Sequence, residues 1–223
     1  MKLRNRHLLK LLDFSPTELA QSIQSTLTLR RLRNCAQDRA ALKRRNLALL
    51  YCESQPQSRW TVQSACARQG AFFHYFGPGE TGLEKGEPLA CNAPHLGRLF
   101  DALLVFGLEQ EGLEELARLC GAPVCNLGSK EFQPLTVMAD FATMSAHASK
   151  PLAELSLVLF GDGTTSLSQS LLVGAAKLGL DLRFCGPEKA HPESTLVETC
   201  LALAAETGAQ IRLYTDPEEA VKG

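Results

Sequence analysis

The chain of 223 residues is long enough for one large domain or two of roughly 100 residues each. Hydrophobic residues at 45% are ample for a packed core, and charged residues at 21% are ordinary for a soluble protein. A net charge of −1 gives no global steering toward nucleic acid or anionic membrane, and no run approaches the roughly 18 apolar residues of a membrane span.

In chain order, His7 to Leu12 reads as a short helix, followed by a break and a second helix. Ser15 is a natural cap for that second helix, Pro16 fits its first position, and Glu18 closes a capping box. Leu19, Ile23 and Leu27, with Thr26 beside them, form its apolar stripe. Asn46 to Tyr51 is a nearly continuous apolar run, as expected of a parallel strand covered on both faces. Trp60 to Gln69 reads as a helix and Ala71 to Phe76 as a strand ending at Gly77-Pro78-Gly79. Glycines and Pro88 punctuate residues 79 to 92, which read as a loop. Leu96 to Gly107 holds a helix and then a strand, Gly112 to Leu119 a helix, and Ala122 to Asn126 a strand. The next helix begins near Pro134 and carries Asp140. Its start is a place where free N–H groups favour a negatively charged ligand.

Ser149-Lys150-Pro151 breaks that helix, and a second α/β unit follows. Its strands are Leu155 to Phe160, Leu180 to Cys185 and Gln210 to Tyr214, with helices over Ser168 to Leu178 and within His191 to Gly208. The alternation predicts an α/β protein with parallel sheets flanked by helices. The predicted domains are residues 1–148 and 149–223, the second a Rossmann-like unit small enough to need a neighbour over its outer faces.

Arg30, Arg31, Arg33, Arg39, Lys43, Arg44 and Arg45 fall within sixteen positions. They read as a solvated helical surface, with an anion or partner patch as the alternative. The eight cysteines sit mostly in apolar or Ala-rich segments without a C-x-x-C pair, and the histidines are scattered singly. Reduced thiols in a cytoplasmic protein, with no metal site, fit that pattern. Lys10 and Asp13 break the first apolar stretch, so it is not read as a signal peptide. Gly161-Asp162-Gly163 follows a strand but lacks the spacing of a dinucleotide fingerprint, since position 166 is Ser. It reads as a tight turn, and no cofactor is expected. No spacing pairs Cys52 or Ser54 with a base such as His74, and His147 reads as a satisfied or surface histidine.

The segment from Arg6 to Leu19 is similar to the opening of the ornithine carbamoyltransferase family. Leu96-Gly97-Arg98-Leu99-Phe100-Asp101, Pro123-Val124-Cys125-Asn126, Val158 to Gly163 and Ala175 to Arg183 resemble it as well. The resemblance covers essentially the whole chain. It implies one α/β domain for carbamoyl phosphate, one for the amino acid, and assembly as a trimer. It also implies carbamoyl transfer to an amino-acid amine, of the kind used in arginine biosynthesis.

The site residues that the resemblance implies are heavily altered. The family's Ser-Thr-Arg-Thr-Arg box, whose hydroxyls, guanidinium forks and helix start hold a phosphate dianion, corresponds to Ser54-Gln55-Pro56-Gln57-Ser58-Arg59. Gln57 stands where an Arg would lie over the phosphate, and Phe106 stands where a further Arg follows the next strand. The His-Pro-x-Gln box reads Gln133-Pro134-Leu135-Thr136, and the Asn pair of the amino-acid side corresponds to Thr165 and Ser166. By the same resemblance the chain stops before the family's later amino-acid-binding motifs. Each lost charged contact to phosphate is worth roughly 1.5–3 kcal/mol. Losing two Arg and a His therefore implies transition-state stabilisation at least about a thousandfold weaker.

The expectation is a non-catalytic paralogue acting as a binding or assembly module, with no catalytic residues. Ser54, Gln57, Ser58, Arg59, Gln133, Thr136, Thr165 and Ser166 would line a degenerate pocket for a small anion or an amino acid. The alternative is a carbamoyltransferase of altered specificity, completed by another subunit. Either way a homo-oligomer or a complex with a second subunit is expected, and neither nucleic acid nor membrane is an expected partner.

Overall fold

The computed structural model describes residues 5–35, 37, 39–53, 56–82 and 89–222. They fold as α/β layers around two parallel sheets, and the chain divides into two compact units. One unit comprises Lys2–Leu9 and Thr28–Lys130, and the other Lys10–Leu27 and Glu131–Gly223. Packing thus groups the Pro134 helix with the following segments, whereas division along the chain separates them at 148/149.

Helix α1 (Pro16–Asn34) begins at a reciprocal capping box. The Ser15 N–H donates to Glu18 Oε2 at 3.0 Å, and the Glu18 N–H donates to Ser15 Oγ at 3.2 Å. Leu19 and Ile23 are buried, as the apolar stripe requires, while Thr26 faces solvent. The residues before it correct the sequence reading. His7 to Leu9 is not helical. The Leu8 N–H donates to the Val124 carbonyl and the Asn126 N–H to the Leu8 carbonyl, both at 2.8 Å. A short 3-10 turn, Leu11–Asp13, follows. A six-residue helix would be too short to offset its nucleation cost, whereas a strand edge offers ready partners.

The first sheet has the order β2-β1-β3-β4, all parallel, with β1 (Asn46–Tyr51), β2 (Phe72–Phe76), β3 (Ala102–Phe106) and β4 (Val124–Gly128). Strand β1 is hydrogen-bonded on both edges and buried from Leu47 to Tyr51, which is why it reads as an unbroken apolar run. Helix α2 (Pro56–Gln69) connects β1 to β2. Helix α3 (Leu89–Leu99) starts inside the predicted loop, a second correction. Pro94 lies within it and hides it from propensity, yet Ala93 is fully buried and Leu96 packs on the core. Helix α4 (Gln110–Cys120) lies so close to α3 that a Cβ at Gly97 would stand 1.4 Å from the Cys120 carbonyl oxygen. Only glycine fits there.

The second sheet has the order β5-β6-β7, also parallel, from β5 (Ser156–Phe160), β6 (Asp181–Cys185) and β7 (Gln210–Tyr214). Helices α5 (Pro134–His147), α6 (Ser166–Leu178) and α7 (Ser194–Thr207) share a core in which Phe141, Leu172, Val173 and Leu182 are buried, with Leu19 and Ile23 among them. Gly174 admits the Phe141 ring, which a Cβ would meet at 2.3 Å. Lys177 is buried in this unit and donates to the carbonyls of Leu12 (2.7 Å) and Phe14, tying the 3-10 turn to α6. The last helix, α8 (Pro217–Ala220), is held by Arg183, which donates to the carbonyls of Ala220 at 3.2 Å and Lys222 at 2.5 Å and pairs with Asp181 at 3.0 Å.

His7 Nδ1 accepts a hydrogen bond from the Val124 N–H at 3.2 Å, which requires that nitrogen to be unprotonated. Burial lowers the His7 pKa below its ordinary value of 6.5. The unfolded chain therefore binds the proton more readily, and this contribution to stability is present above about pH 6.5. It is lost as pH falls through the lowered folded value. Urea denaturation at pH 5 and pH 8 should show wild type losing more stability on acidification than His7→Phe, and equal losses would disprove the coupling.

Candidate functional site

In a parallel sheet ligands bind outside the carboxyl ends of the strands, where the strand order reverses. Here the reversal lies between β1 and β3, because the chain leaves β1 to form β2 and returns to the other edge of β1 as β3. The loops there are joined through the backbone. The Cys52 N–H donates to the Phe106 carbonyl at 2.9 Å, and the Gly107 N–H to the Gly128 carbonyl at 2.8 Å. Gly107 has φ of 85°, and a Cβ there would press on Glu53 at 3.1 Å. Glu53 forms an ion pair with Lys130.

The switch point is filled with aromatic rings. Tyr51, at the end of β1, has its ring centroid 5.1 Å from Phe106 and 5.7 Å from Tyr75. The Arg59 guanidinium lies 3.7 Å above the Tyr75 ring, a cation–π contact. Glu53, close to Arg59 in the sequence, is taken by Lys130. Tyr51 is 1% exposed, and its hydroxyl, with the Ser58 side chain beside it, makes no hydrogen bond of normal geometry among the described residues. Burial pushes its phenol above the usual range, the adjacent Ser58 side chain opposes that rise, and Tyr75 adds to it. Gln57 and Ser58 are on the first turns of α2, Gln57 exposed and Ser58 half-buried, while Ser54 lies outside the described residues.

The other expected residues belong to the other compact unit. Gln133 precedes α5 without capping it. Its side chain turns instead to Ser166, with Nε2 donating to Oγ at 2.9 Å, and its backbone N–H donates to Ser170 Oγ at 2.7 Å. Thr136 is exposed in the first turn of α5. Thr165 caps α6, accepting from the Ser168 N–H at 3.2 Å. Asp162 accepts from the Thr164 N–H at 2.8 Å and hydroxyl at 2.7 Å, and these bonds hold its carboxyl below the ordinary range. The Gly161 and Gly163 N–H groups donate to the carbonyls of Cys185 and Ala190, so this segment is a fully bonded turn. Gln133, Thr165 and Ser166 thus spend polar atoms on one another and on the backbone.

The carbamoyl-phosphate-binding domain model of the aspartate/ornithine carbamoyltransferases matches residues 6–146, and the model of their Asp/Orn-binding domain matches residues 153–223. The chain belongs to the aspartate/ornithine carbamoyltransferase family. It is 37% identical over 222 residues to a catabolic ornithine carbamoyltransferase of Chromobacterium violaceum, covering 99% of this chain and 66% of that protein. Its fold matches an ornithine carbamoyltransferase from Pyrococcus furiosus with a TM-score of 0.93 at 26% identity, over 100% of this chain and 70% of that one. The Gloeobacter violaceus enzyme matches with a TM-score of 0.84 at 29% identity, over 98% and 72%. The chain therefore spans about two thirds of the length of these carbamoyltransferases.

Against the family's charged phosphate box, Tyr51 and Tyr75 are the participants that residue-by-residue reading missed. Both lie at the carboxyl ends of neighbouring strands, and β1 and β2 pair in a register that sets Leu49 opposite Tyr75. Only that register brings Tyr75 between Tyr51 and Arg59. All eight thiols are free, and burial pushes Cys125 up to about 11 and Cys200 to about 12, which keeps those two protonated near neutral pH. No group of three metal-binding side chains and no helix long and apolar enough to cross a membrane occurs among the described residues.

A buried hydroxyl without a partner costs stability that a phenyl ring does not. Tyr51→Phe should accordingly leave the fold intact and raise unfolding stability by about 1 kcal/mol or more. Guanidinium denaturation followed by fluorescence reads this directly, and a loss of stability would mean that the hydroxyl is held by a bond worth keeping.

Proposed function

We infer that this carbamoyltransferase homologue does not make citrulline from ornithine and carbamoyl phosphate and acts as a non-catalytic binding or assembly module. The observation that carries the reading is the aromatic packing at the switch point. Phe106 stands where the resemblance implies an Arg and stacks on Tyr51, while Arg59, the one Arg kept in the box, lies against Tyr75. A phosphate dianion needs several charge-assisted donors converging on it. Aromatic faces offer none. Gln133 replaces the His of the box that the resemblance assigns to the carbamoyl carbonyl, and it is hydrogen-bonded to Ser166, in the stretch the resemblance assigns to the amino acid. Residues 1–148 and 149–223 are then read as the two ancestral modules, for carbamoyl phosphate and for the amino acid.

A second reading, carbamoyl transfer to another amine, has one observation in its favour. Helix α5 starts at Pro134 without a side-chain cap, which leaves N–H groups in its first turn for a ligand. A colorimetric assay for carbamoylated product, run with ornithine and then with a panel of other amines, separates the readings. The first expects no turnover with any acceptor. Turnover with ornithine at the roughly 1–1000 per second common among enzymes would sink it, and turnover confined to another amine would establish the second.

A weak anion site at the start of α2 is part of the same proposal, with Arg59 as its charge and Ser58 as a hydroxyl donor. Calorimetric titration should find inorganic phosphate bound only in the millimolar range, about 4 kcal/mol, with the signal lost in Arg59→Ala. An identical response from both proteins would make Arg59 purely structural.

A further inference from the structure

A cleft of about 350 Å³ opens at the amino end of the first sheet. Its lining includes Asn5, Arg98 and Leu99 at the end of α3, Asp101 just before β3, and Gly121 and Ala122 between α4 and β4. The strands run from this end toward Tyr51 and Phe106, so the cleft and the switch point lie at opposite ends of the sheet. All of these residues belong to one compact unit.

Two backbone donors in the lining are unspent. Gly121 has φ of 73° and follows a helical Cys120, a pairing that turns successive N–H groups toward one concave side. Helix α6 ends with the same glycine geometry at Gly179, but there the Gly179 and Leu180 N–H groups both donate to the Ala175 carbonyl. At the end of α4 neither the Gly121 N–H nor the Ala122 N–H has a hydrogen-bond partner among the described residues. Ala122 is only 6% exposed. A buried backbone donor without a partner is rare, and it points to an acceptor from outside the chain.

Charges of both signs flank these donors. Arg98 is exposed and has no ion pair among the described residues. Asp101 supplies the negative charge. Its Oδ2 accepts from the Asn46 N–H and its Oδ1 from Arg45, both at 2.8 Å, and these bonds hold its carboxyl below the ordinary range. Each oxygen keeps a further lone pair. The carboxyl ends of α3 and α4 add their own partial negative charge. A simple anion would gain from Arg98 and the two N–H groups but be opposed by Asp101 and both helix ends. A simple cation meets the reverse. A ligand that carries a carboxylate and an ammonium group a few ångströms apart satisfies both sets.

We propose that this cleft binds a free α-amino acid, with its carboxylate on Arg98 and the Gly121 and Ala122 N–H groups and its ammonium toward Asp101. Leu99, 65% exposed, offers apolar contact at the rim. The inference does not rest on whether the switch-point crevice holds a ligand.

Backbone-amide NMR titrations with glycine, acetate and methylammonium test it, because the three probes carry both charges, the anion alone and the cation alone. Glycine should shift the Gly121 and Ala122 resonances to saturation, acetate should bind about tenfold more weakly or worse, and methylammonium should leave both resonances in place. Arg98→Gln should weaken glycine binding about tenfold. Arg118→Gln, which removes a charge from α4 outside the cleft, should leave that binding unchanged. If Arg98→Gln fails to fold, the three-probe comparison on wild type decides. Acetate binding as tightly as glycine, no saturable shift at Gly121 or Ala122, or equal glycine affinity in Arg98→Gln and wild type would overturn the proposal. So would glycine shifts confined to Gln57 to Arg59.

Discussion

Strand β1 is the constraint on which the amino-terminal half depends. It is paired on both edges, buried along nearly its whole length, and placed so that the strand order reverses between it and β3. Burial of both faces demands an apolar run, and pairing on both edges demands that its backbone donors and acceptors be met in register. Once that register is set, Tyr51 must emerge at the crevice beside Phe106, with Tyr75 one strand away. The site follows from the strand.

What occupies that crevice determines its chemistry. Carbamoyltransferases need a positively charged floor for a phosphate dianion, and a sheet switch point with a helix start beside it is a natural place to build one. In this chain the floor is made of rings that satisfy each other through dispersion and quadrupole contacts. Arg59 contributes its charge to the face of Tyr75. In the other unit Gln133 likewise turns inward, bonding to Ser166 through its side chain and to Ser170 through its backbone N–H.

Close approaches between helices fix the shape of each unit away from the switch point. Gly97 against the Cys120 carbonyl and Gly174 against Phe141 each leave no room for a Cβ. Lys177 and Arg183 are buried, and each meets backbone carbonyls, so their charge is spent on fixing the 3-10 turn and the terminal helix. None of these contacts involves the switch point. The contacts that fix each unit's fold are therefore distinct from those at the switch point.

Much of this architecture was legible in the sequence. The capping box of Ser15 and Glu18, the apolar run of β1, the strand-helix alternation of both halves and the family resemblance are all local patterns that the structure preserves. Two elements were not legible. The stretch from His7 to Leu9 joins the edge of β4, and α3 forms from Leu89 in spite of Pro94, because partners more than twenty residues away supply the hydrogen bonds and burial that decide them. For the site, the resemblance carried by the sequence implied an Arg replaced at each of Gln57 and Phe106, a His at Gln133 and a Gln at Thr136. That Arg59 lies on Tyr75, and that Gln133 binds Ser166, was decided only by the tertiary structure. Side-chain contacts of this kind depend on strand register and helix packing, which local periodicity does not specify.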